Sequence, residues 1–369
     1  MTKSTSLRTI ALSLIICAAS VPVMQAQGPN RQPDLTLNAA ARAEIIEGIV
    51  KRLNETYVFP DIASQMGAAV RARLERKEYD QITSPMAFAE TLTAHLREVS
   101  HDKHLRVGYS AQPLPPENAG GGPPTPEERE RARAQLSLNN FGFEKVERLP
   151  GNVGYLDLRG FVGPEFSSET VVAAMNFLAN TDALIIDLRQ NGGGSPAAVA
   201  LISSYLFGPD PVHLNDLYWR PDNSTQQWWT LPYVPGKRYV GKDVYVLTSQ
   251  RTFSAAEEFT YNLKNLKRAT IVGETTGGGA HPGGPRRVND HFFVWVPTGR
   301  AINPISKTNW EGTGVKPDVE VSAALALKTA HLAALKKVAE KNKDEQRGVA
   351  LKNAIDAVQR ELDELKSKS

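Results

Sequence analysis

One serine of the sequence stands where a hydroxyl group could act as a nucleophile. Ser254 lies in the segment 252–258, between a predicted buried strand and a predicted helix. The N–H of the next residue, Ala255, would lie at the helix start, where a negative oxygen is stabilised. Ser-x-x-Glu before an apolar helix is also a capping box, in which Ser254 and Glu257 satisfy free N–H groups. Spacing alone leaves both interpretations open.

A serine needs a base to become a good nucleophile, and His104 is the best candidate for that base. It stands on a predicted extended segment, with Asp102 two residues earlier and therefore on the same side. A surface or capping histidine is the alternative, since histidine is usually only partly buried. His101 and His104 could also be a metal pair, but no third ligand stands at a recognisable spacing. We expect no metal and no cofactor.

Two glycine-rich loops follow other predicted strands, where α/β sheets place their ligands. Residues 187–195 contain three consecutive glycines before a predicted helix, and their N–H groups could hold an oxyanion or a phosphate. The segment lacks the Gly-Lys-Ser/Thr ending of a P-loop, and a plain tight turn is the alternative. Residues 275–284 could border a cleft. They carry His281, which we expect to be solvated and which is the next candidate base.

The elements around these loops alternate between strand and helix from about residue 150 onward. Near-continuous apolar runs predict buried strands, and amphipathic segments predict helices. The strands are expected at 153–158, 183–188, 244–248, 269–273 and 292–296, and the helices at 168–180, 196–206 and 255–266. This alternation predicts a layered α/β core with crossover connections, spanning residues 150–325.

Helical regions are predicted on both sides of this core. Residues 35–110 form an N-terminal helical domain, and residues 111–149 form a Pro/Gly-rich linker with a short charged helix. Residues 326–369 form a charged C-terminal helical region. Its apolar stripe resembles two heptads: Leu351, Ile355, Val358, Leu362 and Leu365. This short stripe favours a helix packed on its own domain, and a homo-oligomer formed through this helix is the alternative.

The N-terminus predicts a signal peptide over residues 1–26. Lys3 and Arg8 precede an apolar run, 10–19, that is too short for a stable membrane anchor. Ala26 offers a cleavage point, and an uncleaved anchor is the alternative. We therefore expect a periplasmic or secreted protein without a stable membrane span after signal removal.

Composition excludes several classes of function. The formal net charge is only +3, which gives no electrostatic reason to expect a nucleic-acid partner. Cys17 is the only cysteine, and it lies in the predicted signal peptide. A mature chain would therefore have no disulfide, no thiolate nucleophile and no cysteine-based metal site.

Three segments resemble the tail-specific (C-terminal processing) serine peptidase family. Residues 183–195 contain its Asp-Leu-Arg-x-Asn-x-Gly-Gly core, and residues 252–277 and 309–318 match in order and spacing. The resemblance implies a crotonase-like (ClpP/crotonase-type) α/β peptidase core. Residues 35–110 are similar to the helical domain of the branch that includes interphotoreceptor retinoid-binding protein. Many family members carry a PDZ domain, and we expect none here.

The family has two catalytic arrangements, and this sequence matches one of them. The lysine of the Ser–Lys arrangement would fall at Gly279, where no lysine stands. The tricorn-like branch uses serine, histidine and glutamate, which the resemblance carries over to Ser254, His104 and Glu311. His104 would then act as the base and Glu311 would orient it.

The resemblance further implies that the N–H groups of Gly193 and Ala255 hold the oxyanion. We therefore expect a serine endopeptidase that hydrolyses peptide or protein substrates through an acyl-enzyme on Ser254. The alternative is a module that binds a lipophilic ligand, a retinoid or a fatty acid, without proteolysis. The aromatic pairs 218–219 and 228–229 either line the cleft or cover a hairpin.

Overall fold

A computed structural model describes residues 37–116 and 125–368. The predicted signal peptide, residues 1–26, lies outside the described residues. Within them, no helix is both long enough and apolar enough to cross a bilayer.

The described residues form helices at both ends and a mixture of strands and helices between them. The helices are α1 (Ala39–Thr56), α2 (Pro60–Glu75), α3 (Pro85–Ser100), α4 (Pro126–Ser137), α5 (Pro164–Leu178), α6 (Pro196–Leu206), α7 (Ala255–Asn265), α8 (Ala323–Lys341) and α9 (Glu345–Lys368). The strands are β1 (Arg106–Tyr109), β2 (Phe143–Leu149), β3 (Val153–Leu158), β4 (Ala183–Asp187), β5 (His213–Trp219), β6 (Ser224–Trp229), β7 (Asp243–Thr248), β8 (Thr270–Gly273), β9 (Gly283–Arg287), β10 (Phe292–Pro297), β11 (Gly299–Ile302) and β12 (Val319–Glu320).

A six-stranded sheet lies at the centre of the core, in the order β12-β8-β7-β4-β3-β2. Its strands are parallel except for β2, which pairs antiparallel with β3 at one edge. All five residues of β4 are buried, because helices cover both faces of the sheet. Helices α5, α6 and α7 pack on one face, and α8 and α9 pack on the other. The predicted mixed α/β class is confirmed.

The N-terminal helices pack on a second sheet, of order β1-β10-β9. Ser84 accepts a hydrogen bond from the Ala87 N–H and Pro85 occupies the first turn, so these two residues define the start of α3. Helix α3 ends at His101, whose φ of 55° turns the chain sharply. The short segment between α3 and β1 carries His104 to the core, because β1 pairs with β10.

A third sheet, β11-β5-β6, contains a hairpin of β5 and β6, two strands that are not among those predicted from the sequence. At the C-terminus, the heptad-like stripe of α9 faces α8, with Leu351, Val358 and Leu362 buried within the chain. The stripe is thus used inside this protomer, and a homo-oligomer remains a prediction.

Candidate active site

Ser254 is the N-cap residue of α7 and has a strained backbone. Its φ of 55° and ψ of −123° lie in a region that residues other than glycine rarely adopt. Two hydrogen bonds hold it there: the Phe253 N–H donates to the Asn191 carbonyl at 3.1 Å, and the Ser254 N–H donates to Glu257 Oε2 at 2.9 Å. The result is a hydroxyl group fixed at the start of a helix, next to the Ala255 N–H, which has no acceptor among the described residues.

The capping and nucleophile interpretations of Ser254 are compatible. The Ser254 N–H to Glu257 carboxylate bond is one half of the expected capping box. The N–H groups of Glu257 and Glu258 bond to the Ser254 carbonyl oxygen at 2.8 and 2.9 Å. These first-turn N–H groups are therefore satisfied by backbone, and the hydroxyl does not have to cap them.

Glu257 also ties the nucleophile turn to the second glycine-rich loop. Its carboxylate is completely buried and accepts bonds from the Thr276 hydroxyl at 2.5 Å, the Gly278 N–H at 2.6 Å and the Gly279 N–H at 2.8 Å. Burial raises its pKa, and these hydrogen bonds oppose that shift. The sequence indicated only the capping role of Glu257, because its partners in the loop are about twenty residues away along the chain.

His104 lines the same cavity as Ser254, a space of about 290 Å³. Its ring packs on Phe253 with 4.6 Å between ring centroids, and its backbone N–H donates to Asp102 Oδ1 at 3.0 Å. Within the described part of the chain, no hydrogen bond joins the imidazole to the Ser254 hydroxyl, and Nδ1 is buried without a partner. Burial lowers the pKa of His104 to about 4, against the opposing charge of Asp102. The ring is therefore neutral at pH 7, as a base must be.

Glu311 lies beside His104. One nitrogen of the imidazole and one carboxylate oxygen of Glu311 lie within 4.8 Å of each other. Glu311 Oε2 accepts the Ala280 N–H at 2.5 Å, while Oε1 is buried and has no partner among the described residues. Burial raises the pKa of Glu311 to about 7, although His281 opposes the shift. Two unpartnered polar atoms, His104 Nδ1 and Glu311 Oε1, thus belong to neighbouring side chains.

The prediction that His281 is solvated was wrong. Its side chain is buried, and its Nδ1 lies 2.8 Å from Asp102 Oδ2 and 3.5 Å from Glu311 Oε2. Asp102 is 1% exposed and also accepts the Tyr57 hydroxyl at 3.2 Å. A buried carboxylate needs such partners, and this one draws the loop histidine inward. Asp102 bonds the backbone of His104 rather than its imidazole.

A metal ion could find three ligand atoms here, one each from Asp102, His104 and Glu311. The Asp102 oxygens, however, already accept bonds from His281, Tyr57 and the His104 backbone N–H. We therefore assign these groups to hydrogen bonding and not to metal binding.

The glycine turn after β4 packs directly against the nucleophile. A Cβ atom on Gly193 would lie 2.7 Å from Ser254 Cβ and 2.9 Å from the Ala255 nitrogen. The Gly193 N–H, however, donates to Asn191 Oδ1 at 2.8 Å. The N–H groups of Gly194 and Ala255 have no acceptor among the described residues, and both residues line the cavity. The geometry thus favours Gly194 over the predicted Gly193 as an oxyanion donor.

The aromatic pairs 218–219 and 228–229 were predicted either to line the cleft or to cover a hairpin, and the structure supports both roles. The pairs lie on the β5–β6 hairpin, and Trp219 lines the cavity together with Leu217. Trp229 is partly exposed and stacks on His213 with 4.2 Å between ring centroids.

A serine at a helix start, a neutral histidine and free backbone N–H groups around one cavity are the components of a serine hydrolase. Comparison with known families agrees with this class. Residues 152–321 match the model of Peptidase family S41, and residues 35–139 match the model of the N-terminal domain of Peptidase_S41 in eukaryotic IRBP. The chain therefore contains a peptidase S41 domain, preceded by an S41 N-terminal domain, and these matches confirm the resemblance seen in the sequence.

Two curated relatives match part of the core. The chain is 30% identical over 159 residues to the tail-specific protease of Haemophilus influenzae, a match that covers 41% of this chain and 20% of that protein. It is 29% identical over 160 residues to the carboxyl-terminal-processing protease of Synechocystis sp., with 42% and 35% covered. The matches thus span about a third or less of the length of these relatives.

Solved structures of similar fold include a lipoprotein from Streptococcus agalactiae. It has a TM-score of 0.51 and 15% identity, and the match covers 80% of this chain and 96% of that one. A protein from Parabacteroides merdae has a TM-score of 0.55 and 17% identity, with the same coverage. At these identities the likeness shows the fold alone.

Proposed function

We propose that this chain is a serine peptidase that cleaves peptide bonds through an acyl-enzyme on Ser254. One observation carries the proposal: the strained Ser254 shares a cavity with a neutral His104 and with the free N–H groups of Gly194 and Ala255. The match of residues 152–321 to the model of Peptidase family S41 supports the same chemistry.

The reaction would proceed in two stages. His104 takes the proton of Ser254 Oγ as this oxygen bonds to the substrate carbonyl carbon, and the carbonyl electron pair moves onto its oxygen. The N–H groups of Ala255 and Gly194 stabilise that oxyanion, an effect of about 3–4 kcal/mol for each donor. The carbon–nitrogen bond then breaks, and the leaving amine takes the proton from His104. Water, deprotonated by His104, then attacks the acyl carbon, the bond from this carbon to Ser254 Oγ breaks, and Oγ takes the proton back from His104.

Glu311 would stabilise the positively charged His104 during both stages. A carboxylate beside an imidazole favours its charged form, so pairing raises the pKa of His104 and lowers that of Glu311. The neighbouring unpartnered atoms, His104 Nδ1 and Glu311 Oε1, support this assignment. We propose that the two close into a hydrogen bond when substrate binds, since catalytic hydrogen bonds are often long in the free enzyme.

Substrates, location and architecture belong to the same proposal. The two curated relatives are named for processing at chain ends, and we propose peptide or protein substrates for this chain. The predicted signal peptide supports action in the periplasm or outside the cell. We retain the crotonase-like core at 150–325 and the helical regions before and after it as proposed domains.

Labelling with a fluorophosphonate, which reacts with activated serines, tests the proposal. We expect wild type to be labelled, and Ser254→Ala to lose the label together with cleavage of a peptide library followed by mass spectrometry. Ser322→Ala is the matched control, because Ser322 is also a helix N-cap but is exposed at the start of α8. Absence of labelling, combined with retinol or fatty-acid binding that Ser254→Ala does not change, would instead indicate the lipophilic carrier.

A further inference from the structure

A buried carboxyl group that the proposed mechanism does not use lies in the wall of the active-site cavity. Glu258 lies in the first turn of α7, four residues after the N-cap residue Ser254. Glu258 is 3% exposed and lines the cavity that contains Ser254 and His104. Its Oε1 has no hydrogen-bond partner among the described residues.

None of the described residues supplies a counter-ion to Glu258. Burial raises its pKa to about 7, and a hydrogen bond from the Asn215 side chain opposes this shift. No lysine or arginine within the described ranges forms an ion pair with it. Asn215 is itself completely buried, and its Oδ1 has no partner among the described residues. An acid and an amide with unused polar atoms thus lie side by side, a costly arrangement unless a ligand completes it.

The walls leading to these polar groups are mainly apolar. Asn215, Leu217 and Trp219 alternate along β5 and so share one face, and Leu217 and Trp219 line the cavity. Trp310 and Ala301 line it as well. The cavity therefore offers an apolar passage with Glu258 in its wall, a form that suits a long side chain with a polar end.

We propose that Glu258 makes the enzyme select a basic residue, lysine or arginine, at the substrate position whose carbonyl Ser254 attacks. This inference rests on the proposed peptidase function. The oxyanion donors Gly194 and Ala255 line the same cavity, so the attacked carbonyl and the side chain of its own residue enter it together. The methylene stem packs on Leu217 and Trp219, and the charged end pairs with Glu258. An apolar side chain would leave the Glu258 carboxyl group buried and without a counter-ion.

A set of peptides that differ only at this position tests the selection with wild-type enzyme. Lysine, arginine, glutamine and norleucine are compared by kcat/KM, since norleucine matches the stem of lysine without its charge. We expect lysine and arginine to exceed norleucine by at least about tenfold, because a site built to bind a polar group rejects the analogue that lacks it. Equal or faster cleavage after norleucine would overturn the proposal.

Glu258→Gln isolates the charge at nearly constant volume. We expect the lysine-to-norleucine ratio to fall to within about threefold, because the amide keeps hydrogen bonding and loses the ionic attraction. Glu169→Gln, an exposed position on α5, should keep the wild-type ratio. A ratio retained in Glu258→Gln would contradict the assignment, and circular dichroism shows whether that variant is folded. The wild-type comparison stands without any variant.

Binding to Ser254→Ala separates this inference from the proposed function. Fluorescence anisotropy compares labelled lysine and norleucine peptides on this variant, in which cleavage is not required. Cleavage without a basic preference would refute the role of Glu258 and leave the peptidase intact. Preferential binding of the lysine peptide without any wild-type cleavage would retain the basic pocket and refute the peptidase. Failure to bind or cleave any peptide would refute both.

Discussion

Replacing Gly193 by alanine should inactivate the enzyme through the nucleophile it touches. The added Cβ would lie 2.7 Å from Ser254 Cβ and 2.9 Å from both the Ala255 nitrogen and the Phe253 carbonyl oxygen. Two of these three neighbours are backbone atoms and cannot rotate away. Gly193 also has a φ of 110°, which L-residues rarely adopt.

The cost of Gly193→Ala follows from these two effects. The unfavourable φ costs about 1–2 kcal/mol, and the forced shift of packed atoms costs about 1–3 kcal/mol. We therefore expect the free energy of unfolding to fall by about 2–5 kcal/mol. Displacement of Ser254 by about 1 Å should slow fluorophosphonate labelling by about 100-fold in the variant that remains folded.

Gly192→Ala is the matched control for this prediction. A Cβ on Gly192 would meet no atom within 4 Å, and its φ is not in the positive region. Labelling rates are measured by gel fluorescence, and unfolding is followed in urea by tryptophan fluorescence. We expect Gly192→Ala to label within about threefold of wild type. Normal labelling of Gly193→Ala, or an equal loss in both variants, would refute the reasoning.

Three further predictions follow from the buried ionisable groups. Burial raises the pKa of Glu311 to about 7, and the mechanism needs the charged form of Glu311. Fluorophosphonate labelling of Ser254 should therefore become faster as the pH rises through 7. The Glu311→Gln variant should be labelled slowly and should not show this increase. The pKa of His104 falls from 6.5 to about 4 on folding, so the unfolded chain binds the proton more readily than the folded chain. The free energy of unfolding, measured in urea, should therefore decrease as the pH is lowered from 6.5 to 4. The decrease should be smaller in His104→Gln. Asp102→Asn removes the charged hydrogen-bond partner of His281 and Tyr57, and the free energy of unfolding in urea should fall by about 3 kcal/mol. An unchanged unfolding midpoint would contradict the role of this buried network.

The sequence predicted the core well where burial dictates residue type. The run 183–188 is apolar because β4 is covered on both faces, and its place in the sheet follows from that pattern. Ser84 and Pro85 specify the start of α3 through purely local hydrogen bonding. The turn that contains Ser254 could also be predicted, since it joins a buried strand to a helix.

Other features depend on contacts between distant residues and could not be predicted. The sequence allowed a hairpin at the aromatic pairs, but it did not locate the two strands within residues 213–229, because their polar and aromatic residues follow no clean alternation. His281 is buried only because Asp102, 179 residues away along the chain, is buried beside it. Three consecutive glycines indicated an anion-binding turn. Only the fold shows that the Gly193 N–H donates to the Asn191 side chain, whereas the Gly194 N–H has no acceptor among the described residues.

A crystal structure of the fluorophosphonate adduct would test the central claim most directly. Our account predicts a phosphorus bond to Ser254 Oγ, with the phosphonyl oxygen within hydrogen-bond distance of the Gly194 and Ala255 N–H groups. It also predicts the imidazole of His104 beside Ser254 Oγ, with Nδ1 bonded to Glu311. An adduct on another residue, or a phosphonyl oxygen directed away from both N–H groups with His104 distant from the bond, would contradict it.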